Sequence, residues 1–149
     1  MNKKLLAPTL AATLLSVMFV FAMPASATET LYCNSGQEAV WNGSVHVVSG
    51  TSDGDGIDCS NLSENFLINA GKGDDYVVGG TGDDELRGGW GTDGLFGGDG
   101  SDYIRGGQGS DYMDCGLDDG VADLAEGGQN FDVASNCGSE DTVDLGKGN

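Results

Sequence analysis

Five aspartates recur every nine residues: Asp75, Asp84, Asp93, Asp102 and Asp111. Each has a glycine two positions before it (Gly73, Gly82, Gly91, Gly100, Gly109). Each has an apolar residue two positions after it (Val77, Leu86, Leu95, Ile104, Met113). A carboxylate is a hard oxygen donor, and glycine lets neighbouring carbonyls turn toward a common point. Calcium takes six to eight such oxygens at about 2.3–2.6 Å, whereas magnesium demands a tighter octahedron and keeps its water. The chemistry written here is the binding of a large, hard divalent cation. One loop holds too few oxygens for that, so two loops must face each other.

The elements that position these loops follow from the same period. In blocks of nine, residues 70–114 read AGKGDDYVV, GGTGDDELR, GGWGTDGLF, GGDGSDYIR and GGQGSDYMD, with Asp at position 6 and the apolar residue at position 8. Positions 7–9 predict a short strand whose position 8 points inward and whose neighbours point outward. Positions 1–6 predict the turn. Two blocks make one turn of a coil, so alternate loops stack about 4.8 Å apart. Weaker copies flank the five: residues 50–58 carry Asp55 and Ile57, residues 61–69 carry Ile68 but Phe66 at position 6, and residues 118–144 carry Asp123, Asp132 and Asp141. Insertions of two residues (Cys59-Ser60) and three (Cys115-Gly116-Leu117) break the phase. No segment has a convincing helical period, and each glycine costs a helix about 1 kcal/mol.

The nonapeptide is the calcium-binding repeat pattern of β-helix proteins. Residues 70–114 therefore resemble the hemolysin-type (RTX) calcium-binding repeat family, tightly over the five blocks and loosely over the rest. The resemblance implies an all-β fold, a right-handed parallel β-roll, with calcium as the cofactor. It implies that a first loop gives carbonyls at positions 1 and 3 plus its Asp, and a second gives carbonyls at positions 2 and 4 plus its Asp. Carried onto this chain, one site uses Ala70, Lys72 and Asp75 with Gly89, Gly91 and Asp93. A second uses Gly79, Thr81 and Asp84 with Gly98, Gly100 and Asp102. A third uses Gly88, Trp90 and Asp93 with Gly107, Gly109 and Asp111. Ala70 and Lys72 depart from the family pattern, and Gly94 weakens the strand of the third block.

Residues 28–49 read as an N-terminal β-hairpin cap, because Asn42-Gly43 between apolar runs is a strong hairpin signal. Trp41 would help cover the open end of the core. Residues 1–27 have the order of a secretory signal peptide: a basic start, an apolar run, then Ala25-Ser26-Ala27. Residues 50–144 form the roll, and residues 145–149 a frayed tail. Without residues 1–27 the chain carries 4 basic and 24 acidic residues, a net charge of 4 − 24 = −20. Such a chain repels nucleic acid and anionic membranes and attracts cations. No later stretch is apolar enough to span a bilayer.

Four cysteines in an exported chain predict two disulfides, and the lack of a C-x-x-C spacing opposes zinc. Of three possible pairings, Cys33–Cys59 would tie the cap to the first rung. Cys115–Cys137 would join neighbouring rungs, since one rung suits the Cα separation of a disulfide. Two enzyme-like or metal-loop motifs fail on context. Gly50-Thr51-Ser52-Asp53-Gly54 matches a nucleophile elbow, but the only histidine, His46, precedes it. Residues 53–58 begin like an EF-hand loop but lack its bidentate acid. The expectation is a secreted, extracellular, non-enzymatic protein whose calcium folds a β-roll. The alternative is an adhesion or interaction scaffold that presents the outward aromatics Tyr76, Phe96 and Tyr112 to a surface or protein partner.

Overall fold

The computed structural model describes residues 31–33, 38–117 and 119–146. The expected signal segment and the last three residues lie outside them. Every regular element described is a strand. In chain order these are β1 (Leu31–Tyr32), β2 (Glu38–Trp41), β3 (His46–Ser49), β4 (Gly56–Asp58), β5 (Phe66–Lys72), β6 (Tyr76–Gly80) and β7 (Glu85–Trp90). They continue with β8 (Gly94–Gly98), β9 (Tyr103–Gln108), β10 (Tyr112–Asp114), β11 (Leu124–Gln129), β12 (Val133–Ser135) and β13 (Thr142–Asp144).

The chain alternates between two sheets. One runs β1-β2-β3-β5-β7-β9-β11-β13 and the other β12-β10-β8-β6-β4. Neighbouring strands of the repeat region are parallel, which makes the fold a β-solenoid. Glu85 pairs with Tyr103 and Tyr76 with Gly94, so one coil turn is two nonapeptides. The insertions lengthen two turns without disturbing the pairing. Gly56 still pairs with Tyr76 across the Cys59-Ser60 insertion, and Tyr112 with Val133 across Cys115-Gly116-Leu117.

Position 8 builds the core. Ile57, Ile68, Val77, Leu86, Leu95, Ile104, Met113 and Ala125 are all fully buried between the sheets. The alternation is regular: in β7, Leu86 is inside while Glu85 and Arg87 face out. The strands outlast the three positions expected. β7 and β9 run on through the glycine pair to position 3, because residues without side chains let successive backbones stack at ladder distance. Position 2 of one rung accepts from position 3 of the next, as in Asp99 N to Gly80 O at 3.0 Å.

The amino-terminal hairpin forms, with Trp41 opposite His46 and Val40 opposite Val47. Its turn is longer than Asn42-Gly43 alone. Asn42 Oδ1 accepts from the amides of Ser44 and Val45, which closes a four-residue loop. β3 then pairs with β5, so the hairpin prolongs the first sheet at its edge. The side chain of Trp41 lies outside the described residues. Disulfides join Cys33 to Cys59 (Cα–Cα 4.4 Å) and Cys115 to Cys137 (5.1 Å). Each bonds a residue of an insertion to a neighbouring segment.

Candidate metal centre

The turns between sheets stack into two columns of position-6 carboxylates. One contains Asp55, Asp75, Asp93, Asp111 and Asp132. The other contains Asp84, Asp102, Asp123 and Asp141, with Phe66 in place of its first carboxylate. Above Asp55, each Oδ1 accepts the backbone N–H of the position-6 residue one coil turn earlier. In the first column Asp75 N donates to Asp93 Oδ1, Asp93 N to Asp111 Oδ1 and Asp111 N to Asp132 Oδ1, each at 2.9 Å. In the second column Phe66 N donates to Asp84 at 2.7 Å, Asp84 N to Asp102 at 2.9 Å and Asp102 N to Asp123 at 2.8 Å.

The other oxygen is left without a partner. Oδ2 of Asp75, Asp84, Asp93, Asp102, Asp111 and Asp132 is buried and accepts no hydrogen bond. A buried charged oxygen without a partner is costly. Burial, the largest cause, raises the carboxyl groups well above the ordinary range: Asp84 to about 7, Asp102 to about 8, and Asp93 and Asp111 to about 6. The backbone N–H at Oδ1 opposes this, and neighbouring carboxylates add to it. Asp75 and Asp123 are raised in the same way.

In five blocks position 1 is a glycine that faces this oxygen, whereas Ala70 holds that position in the block of Asp75. A β-carbon on Gly88 would overlap Asp93 Oδ2, and one on Gly79 would stand 2.5 Å from Asp84 Oδ2. The same cradle recurs at Gly97 with Asp102, Gly106 with Asp111 and Gly127 with Asp132. The donor atoms nearest these glycines are carboxylate and carbonyl oxygens, and that donor set fits a hard cation such as calcium.

The carbonyls face the gaps in an order different from the one the resemblance implies. Trp90 O accepts from Gly73 N, and Gln108 O from Gly91 N, both at 2.8 Å, so position 3 faces the rung below. Gly106 O stands 2.8 Å from a β-carbon placed on Gly88, so position 1 faces below too. Positions 2 and 4 face above: Gly80 O accepts from Asp99 N, and Gly82 O stands 2.5 Å from a β-carbon placed on Gly100. Strand alternation fixes this pairing of odd with odd and even with even. Gly88 and Trp90 therefore face the rung of Asp75, while Gly89 and Gly91 face the rung of Asp111. Ala70 O faces Gly50 and Gly98 O faces Gly116, away from the gaps first expected for them. Lys72 is drawn off the loop, its Nζ 5.2 Å from the centre of the Trp90 ring.

The columns reach beyond the five regular blocks. At the lower end Asp55 Oδ2 is already taken, by the amide of Thr51 at 2.6 Å and its hydroxyl at 3.0 Å. At the upper end the block 127–135 keeps an open cradle. Asn130 there has φ 79°, standing where Gly91 has 136° and Gly109 has 140°. Asparagine tolerates that left-handed region better than other side chains. The signal for this loop was Gly127-Gly128 followed by Asp132; Asn130 and Phe131 masked it. Asp74 and Asp83, at position 5, also tie rungs together through the amides of Thr92 and Ser101.

A family model described as the RTX calcium-binding nonapeptide repeat, in four copies, matches residues 67–95 and 87–122. Neither the curated proteins nor the solved structures give a significant match to the chain.

Proposed function

We propose, from the premise that residues 67–122 are RTX calcium-binding repeats, that calcium between stacked loops folds this chain into its roll outside the cell. The observation that carries the reading is the row of buried Oδ2 atoms without partners. Each of the five regular blocks gives its position-8 residue to the core while also burying an acid. Without a cation those acids repel one another and resist burial. Binding energy is then folding energy.

Four gaps meet the full description. Asp75 and Asp93 bound the first, with carbonyls of Gly71 and Gly73 below and of Gly88 and Trp90 above. Asp84 and Asp102 bound the second, with Gly80, Gly82, Gly97 and Asp99. Asp93 and Asp111 bound the third, with Gly89, Gly91, Gly106 and Gln108. Asp111 and Asp132 bound the fourth, with Gly107, Gly109, Gly127 and Gln129. Bound calcium supplies positive charge that holds both carboxylates of a gap ionised; the glycines keep the space open and aim the carbonyls.

The test is calorimetry with calcium beside far-ultraviolet circular dichroism in chelator. The expected result is little β signal in chelator, its recovery with calcium, and four ions bound at roughly 10⁻⁴–10⁻³ M, as in extracellular modules. Asp93→Ala is expected to lose two ions and Asp132→Asn one. A spectrum that calcium leaves unchanged overturns coupled folding. Three ions in both the parent and Asp132→Asn would confine the sites to the regular blocks.

A further inference from the structure

We propose that the outer face of the first sheet holds a binding trench for an acidic saccharide, a hydroxyl-rich chain bearing carboxylate or sulfate groups. The trench encloses about 440 Å³. Its floor is glycine, from positions 1 and 2 of successive rungs, where side chains are absent. One wall carries Asn69, Arg87 and Arg105 from position 9; the other carries Trp90, Gln108 and Gln129 from position 3.

The charge of this trench runs against the molecule. The chain holds 24 acids against 6 bases, yet among the described residues no carboxylate lines the trench and two arginines do. Lys72 joins them on Trp90. Arg87 and Arg105 are direct register partners, and like charges side by side on a sheet destabilise it. Arg87 is relieved by Glu85, the one ion pair among the described residues. Arg105 makes no salt bridge among the described residues: its next register partner, Glu126, accepts the Tyr103 hydroxyl at 2.6 Å. An oxyanion in the trench would supply Arg105 with the close pairing that Glu85 gives Arg87.

The chemistry of the walls selects the ligand. A guanidinium presents a planar fork that matches carboxylate and sulfate oxygens two at a time. The amides of Asn69, Gln108 and Gln129 each donate and accept, as hydroxyl groups do. The glycine floor admits an extended chain lying along the stack. The field of the whole chain opposes an anion, so the trench is effective when loop charge has been neutralised. It requires the folded roll but not any particular ion within it.

The experiment titrates calcium-saturated protein, shown to be β-rich by circular dichroism, with free calcium equal in cell and syringe. The ligands are a galacturonate trimer, a sulfated disaccharide, maltotriose, a glutamate-rich peptide and inorganic sulfate. One or both acidic saccharides are expected to bind at least about tenfold more tightly than maltotriose, and the stronger of the two identifies the oxyanion. Arg105→Gln is expected to weaken that binding about tenfold, roughly 1.4 kcal/mol, with ion content and spectrum unchanged. Gln129→Ala provides a second variant if the first does not fold. Equal binding of maltotriose, tighter binding of the peptide, sulfate binding as strong as the saccharides, no binding, or indifference to both variants overturns the proposal.

Discussion

Asp102 and Asp84 carry the most strongly raised carboxyl groups of the two columns, so under the proposed calcium binding protons would compete with the ion most directly there. Burial raises Asp102 to about 8 and Asp84 to about 7, and lifts Asp93 and Asp111 to about 6. An acid whose folded value lies above its unfolded value of about 3.9 favours the fold while protonated. That stability is fully present below the unfolded value and is lost as pH rises through about 6 to 8. Calcium-free protein is therefore expected to gain β signal on acidification from pH 8 to pH 5, and calcium to bind more tightly as pH rises. Circular dichroism in chelator across this range checks the first part. A flat profile would mean the loops do not close without metal at any pH.

At the scale of elements, the phase of the strands was legible because it rests on one aspartate and one apolar residue per block. The strand ends were not, since a glycine pair reads as a turn, yet here it stacks in the ladder. The cysteine pairing was legible from rung spacing and the position of the cap. The facing order of the carbonyls was not, because it depends on strand direction within a gap. The trench was invisible for a simpler reason: Arg87 and Arg105 are two nonapeptides apart in sequence and adjacent only in the coil. The disulfides span 26 and 22 residues, each worth about 3–4 kcal/mol in the chain-entropy model. Replacing either pair with serine is expected to raise the calcium needed for half-folding severalfold. A calcium midpoint unchanged in both double variants would show that the rungs hold these segments without help. Tyr76, Phe96 and Tyr112 form a ladder on the outer face of the second sheet, with ring centres 5.0 and 5.7 Å apart.

For the molecule as a whole, what matters is which of two columns a block enters. Removing residues 88–96 moves every later block to the opposite sheet while leaving its own Asp and apolar positions in phase. The shortened chain is expected to fold with calcium and to bind three ions in place of four, through Asp75 with Asp102, Asp84 with Asp111, and Asp111 with Asp132. It is also expected to lose trench binding, because Arg105 leaves the sheet of Arg87. Failure of this deletion to fold with calcium would show that the two columns are not equivalent. The two lengthened turns show how the protein itself tolerates extra chain. Added residues bulge at a corner beside Cys59 and Cys115, and the next strand falls back into its place. The molecule thus keeps a reading frame in space, counted in half-coils. A small insertion at a corner is absorbed as a silent change, whereas gain or loss of one whole nonapeptide preserves every local motif and rewrites both faces downstream. Growth by a pair of nonapeptides is the in-frame route by which such a chain can lengthen and keep what its surfaces say.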